Sequence, residues 1–157
     1  MEKKIPFKTE HIEILEAKLT QFNVNDISEE SFTVKDIETY NFNINAESSM
    51  TEKHLIRIIM DVSISTNIKG IDYPLGKMKT QHIFQIKNIE ELLSLNQDSE
   101  KANKSHVDLP DVIGATLIGL SYSDTRGMLI SRAAGTILSK VILPVINPNR
   151  LTEKVSL

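Results

Sequence analysis

The sequence predicts an α+β fold in which a four-stranded antiparallel sheet has one long helix packed on it. Two observations lead to this prediction. Four segments between residues 17 and 86 alternate apolar and polar side chains, and a later segment has apolar residues at helical spacing. Alternation with period two indicates a strand, and one polar face indicates an antiparallel sheet that is wetted on one side.

The first predicted strand lies in residues 19–28 and contains one break in its pattern. Phe22 and Val24 alternate with asparagines, but Ile27 then falls out of phase with them. Because one extra residue in a strand shifts the alternation in this way, the sequence predicts a β-bulge near Asn25-Asp26.

The other three predicted strands lie in residues 37–47, 54–67 and 77–86. In each of them nearly every second residue is apolar, and the residues between are mostly polar. The predicted apolar faces are Tyr40, Phe42, Ile44 and Ala46 in the second strand, Ile56, Ile58, Met60, Val62 and Ile64 in the third, and Met78, Thr80, His82, Phe84 and Ile86 in the fourth.

The long helix is predicted to run from Pro110 to Gly135, because proline suits the first turn of a helix and glycine its end. At about 100° per residue its apolar residues fall on two opposite sides. A helix that covers one sheet needs a single apolar face, so we expect this one to be sandwiched between its own sheet and another subunit. One side contains Ile113, Leu117, Leu120 and Met128, and the other contains Ala115, Ile118, Tyr122, Leu129 and Ala133.

The chain of 157 residues is expected to form one domain, residues 17–157, after an N-terminal extension, residues 1–16. The extension is charged, and its pattern fits either a short helix after Thr9 or an extended lead-in. A polar loop, residues 96–108, precedes the long helix. The apolar tail after the helix is interrupted by prolines, so we expect it to run extended along the core.

Composition excludes several classes of function. The net charge is −3 and no basic run is longer than Lys3-Lys4, which argues against nucleic-acid binding. The chain has no cysteine, which excludes disulfides, thiolate nucleophiles and cysteine-bound zinc. No apolar run of a secretory signal follows the first lysines, and residues 112–123 are too short for the roughly 20 residues of a membrane span. We expect a cytoplasmic protein with no metal, no cofactor and no membrane insertion.

The sequence offers little for catalysis. Its four histidines lie in separate segments without metal-ligand spacing, and common nucleotide-binding, hydrolase and zinc-protease motifs are absent. His82 would lie on the apolar face of its strand, where we expect a core histidine that is hydrogen-bonded to a neighbour. In the polar cluster SYSDTRG, we expect Asp124 and Arg126 to form interface or intersubunit ion pairs, or to mark a helix break beside Gly127.

Three short motifs stand in order among the predicted strands and helix. Residues 26–28 read Asp-Ile-Ser, residues 82–84 read His-Ile-Phe, and Gly135-Thr136 is followed by Pro144-Val145. They are similar to three features of the SecB family of export chaperones: the Lys-Asp-Ile-Ser end of its first strand, the Gly-Ile-Phe of its fourth strand, and the spacing from the terminal glycine of its helix to an Ala-Pro-Val segment. Order, spacing and hydrophobic pattern together make the chain resemble that family over roughly residues 17–151.

The resemblance implies an ATP-independent holdase that binds unfolded preproteins in apolar grooves for export. It also implies a homotetramer, a dimer of dimers, with the long helices packed between the dimers. The groove residues chosen on this basis are Phe22, Val24, Ile27, Tyr40, Phe42, Ile142 and Val145. The expected oligomer interface contains Ile113, Leu117, Leu120, Tyr122, Asp124, Arg126 and Met128.

Departures from the family pattern bear on the partner protein. In the family an acidic edge docks the translocation ATPase SecA, and Asp26, Glu30 and Leu75 match positions of that edge. Lys77 replaces an acid there, which reverses one charge in the expected contact. The family's second long helix is also reduced to a stub. Because SecB-like relatives also serve toxin–antitoxin systems as antitoxin-specific chaperones, an antitoxin is the alternative partner.

Two other classes of protein have similar sequence patterns. A hotdog-type enzyme also wraps an antiparallel sheet on one long helix, and Asp111 and His82 would be its candidate catalytic residues. A non-catalytic assembly subunit would bury both sides of the helix against partners and leave no open groove. Thioester hydrolysis that is lost in Asp111→Ala would favour the enzyme, and dye binding to the intact oligomer would argue against the assembly subunit.

Overall fold

The computed structural model describes residues 8–91 and 111–152 of the chain. These residues form four strands and a long helix, followed by a short helix at the end of the described region. The elements are β1 (Ile12–Val24), β2 (Asn41–Met50), β3 (Ile56–Ile68), β4 (Ile71–Ile86), α1 (Asp111–Ala133) and α2 (Pro148–Thr152). The predicted loop at residues 96–108 lies outside the described residues.

The four strands form one antiparallel sheet in the order β1-β4-β3-β2. The predicted fold, a four-stranded antiparallel sheet with one long helix, is therefore confirmed. β3 and β4 are central, and β1 and β2 are the two edges. Because β1 and β2 are consecutive in the chain, residues 25–40 must cross from one edge of the sheet to the other.

β1 begins at Ile12 rather than near Ala17, after a single 3-10 turn at Thr9–His11. Residues 12–16, which we placed in the extension, pair with β4. The strand contains two bulges, at Leu15 and at Thr20, where the pairing with β4 skips one residue. The bulge predicted near residues 25–26 is wrong, because β1 already ends at Val24.

The core lies between the sheet and α1. The predicted apolar faces of β3 and β4 are confirmed, since every second residue from Ile56 to Ile64 and from Met78 to Ile86 is buried. These residues point toward α1, as shown by hydrogen bonds from His82 and Thr80 to the helix. The opposite face of the sheet is polar, and Asp61 pairs there with Lys79 at 3.6 Å.

α1 runs through Gly127 without a break, which corrects the expectation that this glycine interrupts the helix. It ends at Ala133, two residues before the predicted Gly135. Gly135 has a φ of 79°, a left-handed conformation that glycine adopts without steric cost. The amide of Thr136 donates to the carbonyl of Ala133 at 3.0 Å and closes the last turn.

The two predicted apolar sides of α1 form a single wide buried surface. At about 100° per residue, the buried residues span one continuous arc of roughly 200°. Ser121 and Thr125 occupy the centre of this arc, and their hydroxyls donate to the carbonyls of Leu117 and Ser121. The buried residues are Ile113, Leu117, Ile118, Ser121, Tyr122, Thr125, Leu129 and Ala133.

The chain's own C-terminal segment forms a second layer over α1. The hydroxyl of Tyr122 donates to the carbonyl of Pro144 at 2.6 Å, and α2 packs against α1. Val141 and Leu143 are buried, whereas Ile142 between them is exposed. The tail therefore runs extended along the core from residue 141 to residue 147, as its sequence predicts. None of the helices in the described ranges is long and apolar enough to span a membrane.

Candidate functional site

An apolar strip runs along the whole length of β1 on the side of the sheet that faces α1. α1 packs over β3 and β4, and the side chains on β1 remain partly or largely exposed. Ile14 is 54% exposed, although it lies opposite the fully buried Phe84. The two bulges keep the apolar residues of β1 on this face, since each adds one residue to the alternation. The β1 strip consists of Ile12, Ile14, Ala17, Leu19, Phe22 and Val24.

A second apolar region is a cleft of about 610 Å³ between α1 and the C-terminal segment. Its only charged lining residue is Arg126, which forms no ion pair with any other described residue. Val145, 86% exposed, lies on its rim. The α1 cleft is lined by Ala115, Thr116, Gly119, Leu120, Tyr122, Ser123, Arg126, Val145, Ile146, Pro148 and Asn149.

Five of the predicted groove residues lie toward one end of the sheet, but on opposite edges. Val24 pairs with Gly76, which pairs on its other side with Ile64, and Ile64 pairs with Phe42. At about 4.8 Å per strand, Val24 and Phe42 are roughly 14 Å apart. Each of the five is partly buried against the core, namely Phe22, Val24, Ile27, Tyr40 and Phe42.

The side chain of Leu138 lies in the middle of this row and separates the two edges. A Cβ atom on Gly76 would lie 2.6 Å from Cδ1 of Leu138 and 2.9 Å from the carbonyl oxygen of Asn23. Only glycine allows the tail to come this close to the sheet. Ile142, also predicted for the groove, is 68% exposed farther along the same tail.

The predicted motor-docking edge is only partly available at the surface. Asp26 and Glu30 are exposed, but Leu75 is fully buried and cannot provide a docking contact. Leu75 is buried because it is the extra residue in β4 where the pairing with β3 shifts. Hydrogen bonds from Ser28 hold the pKa of the Asp26 carboxyl below its usual value. Lys77 is exposed, with its ammonium 4.0 Å from a carboxylate oxygen of Asp61.

The predicted oligomer interface also needs correction. Ile113 and Leu117 are fully buried inside the subunit, and Tyr122 is covered by the tail, so these three offer almost no surface to a partner. Asp124 binds His82 of its own chain, and its side chain is still 46% exposed. The remaining predicted members are at least partly accessible: Leu120, Arg126 and Met128.

His82 is the hydrogen-bonded core histidine that the sequence predicts. Its side chain is 1% exposed, and its Nε2 atom lies 2.7 Å from Oδ2 of Asp124. The second ring nitrogen, Nδ1, is buried and has no hydrogen-bond partner among the residues that the structure describes. Such a group, fixed between sheet and helix, joins the two layers and has little access to a substrate. No cluster of three or more metal-binding side chains occurs in residues 8–91 and 111–152.

Most of the β1 strip was not among the predicted groove residues, although its sequence carries a signal. The apolar positions from Ile12 to Val24 are spaced two, three, two, three and two residues apart. Each step of three marks one of the two bulges. We placed residues 12–16 in an extension and therefore did not connect Ile12 and Ile14 with the strand.

Comparisons with known proteins identify the fold. No protein-family model matches the chain, and no curated protein sequence matches it significantly. Among solved structures, it is similar to the SecB-like chaperone Rv1957 of Mycobacterium tuberculosis, solved in complex with a ChAD peptide from the Rv1956 HigA1 antitoxin. The TM-score is 0.52, at 12% sequence identity, over 87% of this chain and 91% of that chain. The chain has a SecB-like fold.

The SecB-like fold agrees with the resemblance found in the sequence and confirms it at the level of structure. The similarity covers nearly the whole of both chains, so the order of strands and helix is shared and not only a local motif. At 12% identity the match describes the fold, and the function must be inferred from the surfaces of this chain.

Proposed function

We propose that this protein is an ATP-independent holdase chaperone that binds apolar segments of unfolded or partly folded proteins. The observation that carries the proposal is the apolar surface that the folded subunit leaves open along β1 and beside α1. Exposed apolar patches mark interaction sites on soluble proteins. β1 is also an edge strand, so its free main-chain groups can pair with an extended peptide while the strip contacts its apolar side chains.

This surface suits a chaperone because it can bind apolar segments of many different sequences. The strip and the cleft contain aliphatic and aromatic side chains that accept many apolar residues. Arg126 adds one positive charge to the cleft, which favours client segments that carry an acidic residue beside apolar ones. None of these contacts requires a catalytic group.

An antitoxin-specific chaperone is the second candidate, and three observations favour it over an export chaperone. Leu75, part of the expected motor-docking edge, is buried, and Lys77 places a positive charge where an acidic residue is expected. The structural neighbour Rv1957 was solved with an antitoxin peptide. We propose that the client is a segment of a dedicated partner such as an antitoxin, and that SecA-type docking is weak or absent.

We also propose that the protein is a homotetramer in the cytoplasm, with α1 at the subunit contact. Ile130 is 60% exposed on the outer side of α1 and is not among the residues that line the α1 cleft. Size-exclusion chromatography with light scattering measures the mass directly. Ile130→Asp is expected to reduce the tetramer to smaller species, and a monomeric wild-type protein would contradict the proposal.

The holdase activity is tested by refolding a slowly folding client in the presence of the protein. Several-fold excess of the tetramer is expected to slow refolding without ATP. Replacement of both Ile142 and Val145 by serine should weaken this effect, because it removes two exposed apolar side chains from the tail. Lys140→Ser, an exposed polar position in the same tail, is the matched control. Refolding that proceeds at the same rate with and without wild-type protein would refute the chaperone function.

The choice between the two client classes needs a separate measurement. Wild-type protein is expected to show no binding to a SecA-type ATPase. Lys77→Glu is expected to bind the ATPase weakly, because the substitution restores the expected negative charge. Tight binding of wild-type protein to the ATPase would instead support the export function. An antitoxin whose solubility depends on co-expression of this protein would support the antitoxin-specific function.

A further inference from the structure

The connection between β1 and β2, residues 25–40, is much longer than its path requires. We refer to these sixteen residues as the crossover loop. The loop joins the two edges of the sheet, a distance of roughly 14 Å that about five extended residues would span. The loop is therefore long enough to move across the sheet while its two ends stay in place.

The crossover loop passes over the same face of the sheet as α1. Thr66 is buried on this face, and its hydroxyl donates to the carbonyl of Thr39 at 2.7 Å. The ring of Phe32 lies 4.6 Å from the ring of Tyr73, and Tyr73 pairs with Thr66. On this face the Thr66–Tyr73 pair is next to the row that contains Val24 and Phe42. The loop thus lies beside the predicted groove residues.

A single side chain attaches the middle of the crossover loop to the protein. Phe32 is 4% exposed, and the residues on both sides of it, 28–31 and 33–36, are exposed. Among the described residues, main-chain attachment of the loop to the sheet occurs only at its ends, where the amide of Asn25 donates to the carbonyl of Leu75 at 2.8 Å and the carbonyl of Thr39 accepts from Thr66.

The hydrogen bonds of residues 26–38 to other described residues all stay within the loop. The amide of Ser28 donates to Asp26, the amide of Glu30 donates to Ile27, and Thr33 and Asp36 bond to each other. These short turns keep the segment compact, and they can move with it as a unit. Ile27 and Ile37 are partly buried against the core on either side of residues 28–36. Release of the Phe32 ring would therefore free residues 28–36 without breaking a hydrogen bond to the described part of the sheet.

We propose that the crossover loop is an autoinhibitory strap held closed by Phe32 on Tyr73. This proposal deepens the proposed function, on which it rests. In the closed state Phe32 occupies the position of a large apolar or aromatic side chain of an extended client. Client binding displaces the ring and opens the end of the sheet around Phe42 and Val24. A client must compete with Phe32, so weakly apolar segments are rejected.

The test compares Phe32→Ala with wild type in binding a labelled, permanently unfolded protein, reduced and carboxymethylated α-lactalbumin. A site that is open a tenth of the time binds with a tenth of its intrinsic affinity, so opening the strap is expected to lower the apparent Kd by up to about tenfold. Phe32→Leu, which keeps an apolar anchor, should change it less. Val34→Ala, at a 37% exposed position in the same loop, is the control and should leave the Kd unchanged.

A weaker or unchanged affinity of Phe32→Ala would overturn the strap, since Phe32 would then be a client contact or a purely structural residue. If wild type slows refolding but Phe32→Ala binds no tighter, the chaperone function stands and the strap fails. If neither protein binds the unfolded probe, both proposals fail.

Loop movement is measured independently on a folded protein with Phe32 intact. The chain has no cysteine, so Ser31→Cys gives one site for a spin label next to Phe32. The label is expected to become more mobile when the unfolded probe is added, because the ring leaves Tyr73. A label whose mobility does not change at saturating probe would show that the strap stays closed.

Discussion

The imidazole of His82 on β4 lies 2.7 Å from the carboxylate of Asp124 on α1, in the contact between sheet and helix. Two residues earlier on β4, the hydroxyl of Thr80 lies 2.8 Å from the hydroxyl of Thr125. These two bonds connect adjacent helix positions with alternate strand positions. Apolar packing alone would allow α1 to slide on the sheet, whereas two polar pairs fix its register, because an unpaired buried group is costly.

Asp124→Ala is expected to lower the free energy of unfolding by about 1–3 kcal/mol, because it leaves the buried His82 Nε2 without its partner. Asp124→Asn retains a hydrogen-bonding group and should cost less. Urea denaturation followed by circular dichroism measures both. The control is Ser123→Ala, at an exposed neighbouring position on the helix, which should be nearly neutral. Equal stability of Asp124→Ala and Ser123→Ala would contradict a fixing role for the pair.

Alternation predicted the sheet because burial on one face constrains every second residue. The faces of β3 and β4 follow directly from their sequences, and His82 was placed correctly because it stands in phase with Met78 and Phe84. A polar residue in phase with buried apolar ones needs a hydrogen-bond partner, and this requirement predicts a neighbour without identifying it. Asp124 could not be chosen in advance, since nothing in the sequence sets the register of the helix on the sheet.

The helix was harder to interpret because its buried face has a polar centre. Ser121 and Thr125 are fully buried, but each satisfies its hydroxyl on a carbonyl of its own helix. Counting apolar residues alone split this one face into two and suggested a second subunit. The chain's own tail covers part of this face through the hydrogen bond between Tyr122 and Pro144. A contact between helix and tail is nonlocal, so local periodicity does not predict it.

The sequence identified apolar residues of the candidate site but not where they lie relative to one another on the sheet. Phe22, Val24 and Phe42 were assigned to one groove, and the structure places them on opposite edges of the sheet with Leu138 between. Ile14 was not predicted because the bulge at Leu15 breaks the period-two alternation between Ile14 and the rest of the strand. The distance between edge strands depends on strand order, and a sequence of four alternating segments fits several orders.

Gly76→Ala is expected to destabilise the protein by about 1–3 kcal/mol, because the new methyl group would lie 2.6 Å from Cδ1 of Leu138. Thermal unfolding of the single and double variants measures the effect. Leu138→Ala removes the closest clashing atom, although the carbonyl oxygen of Asn23 stays at 2.9 Å, and it leaves a cavity, so it destabilises by itself. The stability loss of the double variant should be smaller than the sum of the losses of the two single variants. Strict additivity would show that the two residues are not in contact.

Tyr122→Phe should change the stability of the protein at alkaline pH. Burial raises the pKa of the Tyr122 hydroxyl above its usual value, and the Arg126 charge acts in the opposite direction. A raised pKa means that the stabilising contribution of the neutral hydroxyl is present below the unfolded-state pKa, about 10, and is lost as pH rises through the folded-state pKa. Wild type should therefore lose stability above about pH 10 more steeply than Tyr122→Phe.

At neutral pH the same variant should cost about 1 kcal/mol, because the hydroxyl donates to the carbonyl of Pro144. Denaturant melts at several pH values from neutral to alkaline give both quantities. Tyr40→Phe, at a half-buried position on another element, controls for tyrosine ionisation elsewhere. Parallel pH profiles of wild type and Tyr122→Phe would argue against the burial of this hydroxyl.

Deletion of Thr20 should be tolerated far better than deletion of Lys18. Thr20 is the extra residue of a bulge, so without it Leu19 and Gln21 still face their present partners on β4 in a regular ladder. Lys18 is a paired residue, and its deletion moves Ile12, Ile14 and Ala17 to the polar face. We expect the Lys18 deletion to lower the free energy of unfolding by about 2 kcal/mol more than the Thr20 deletion does, because Ile12 and Ile14 lose their partial burial. Urea midpoints measure this, and equal losses would contradict the assigned register.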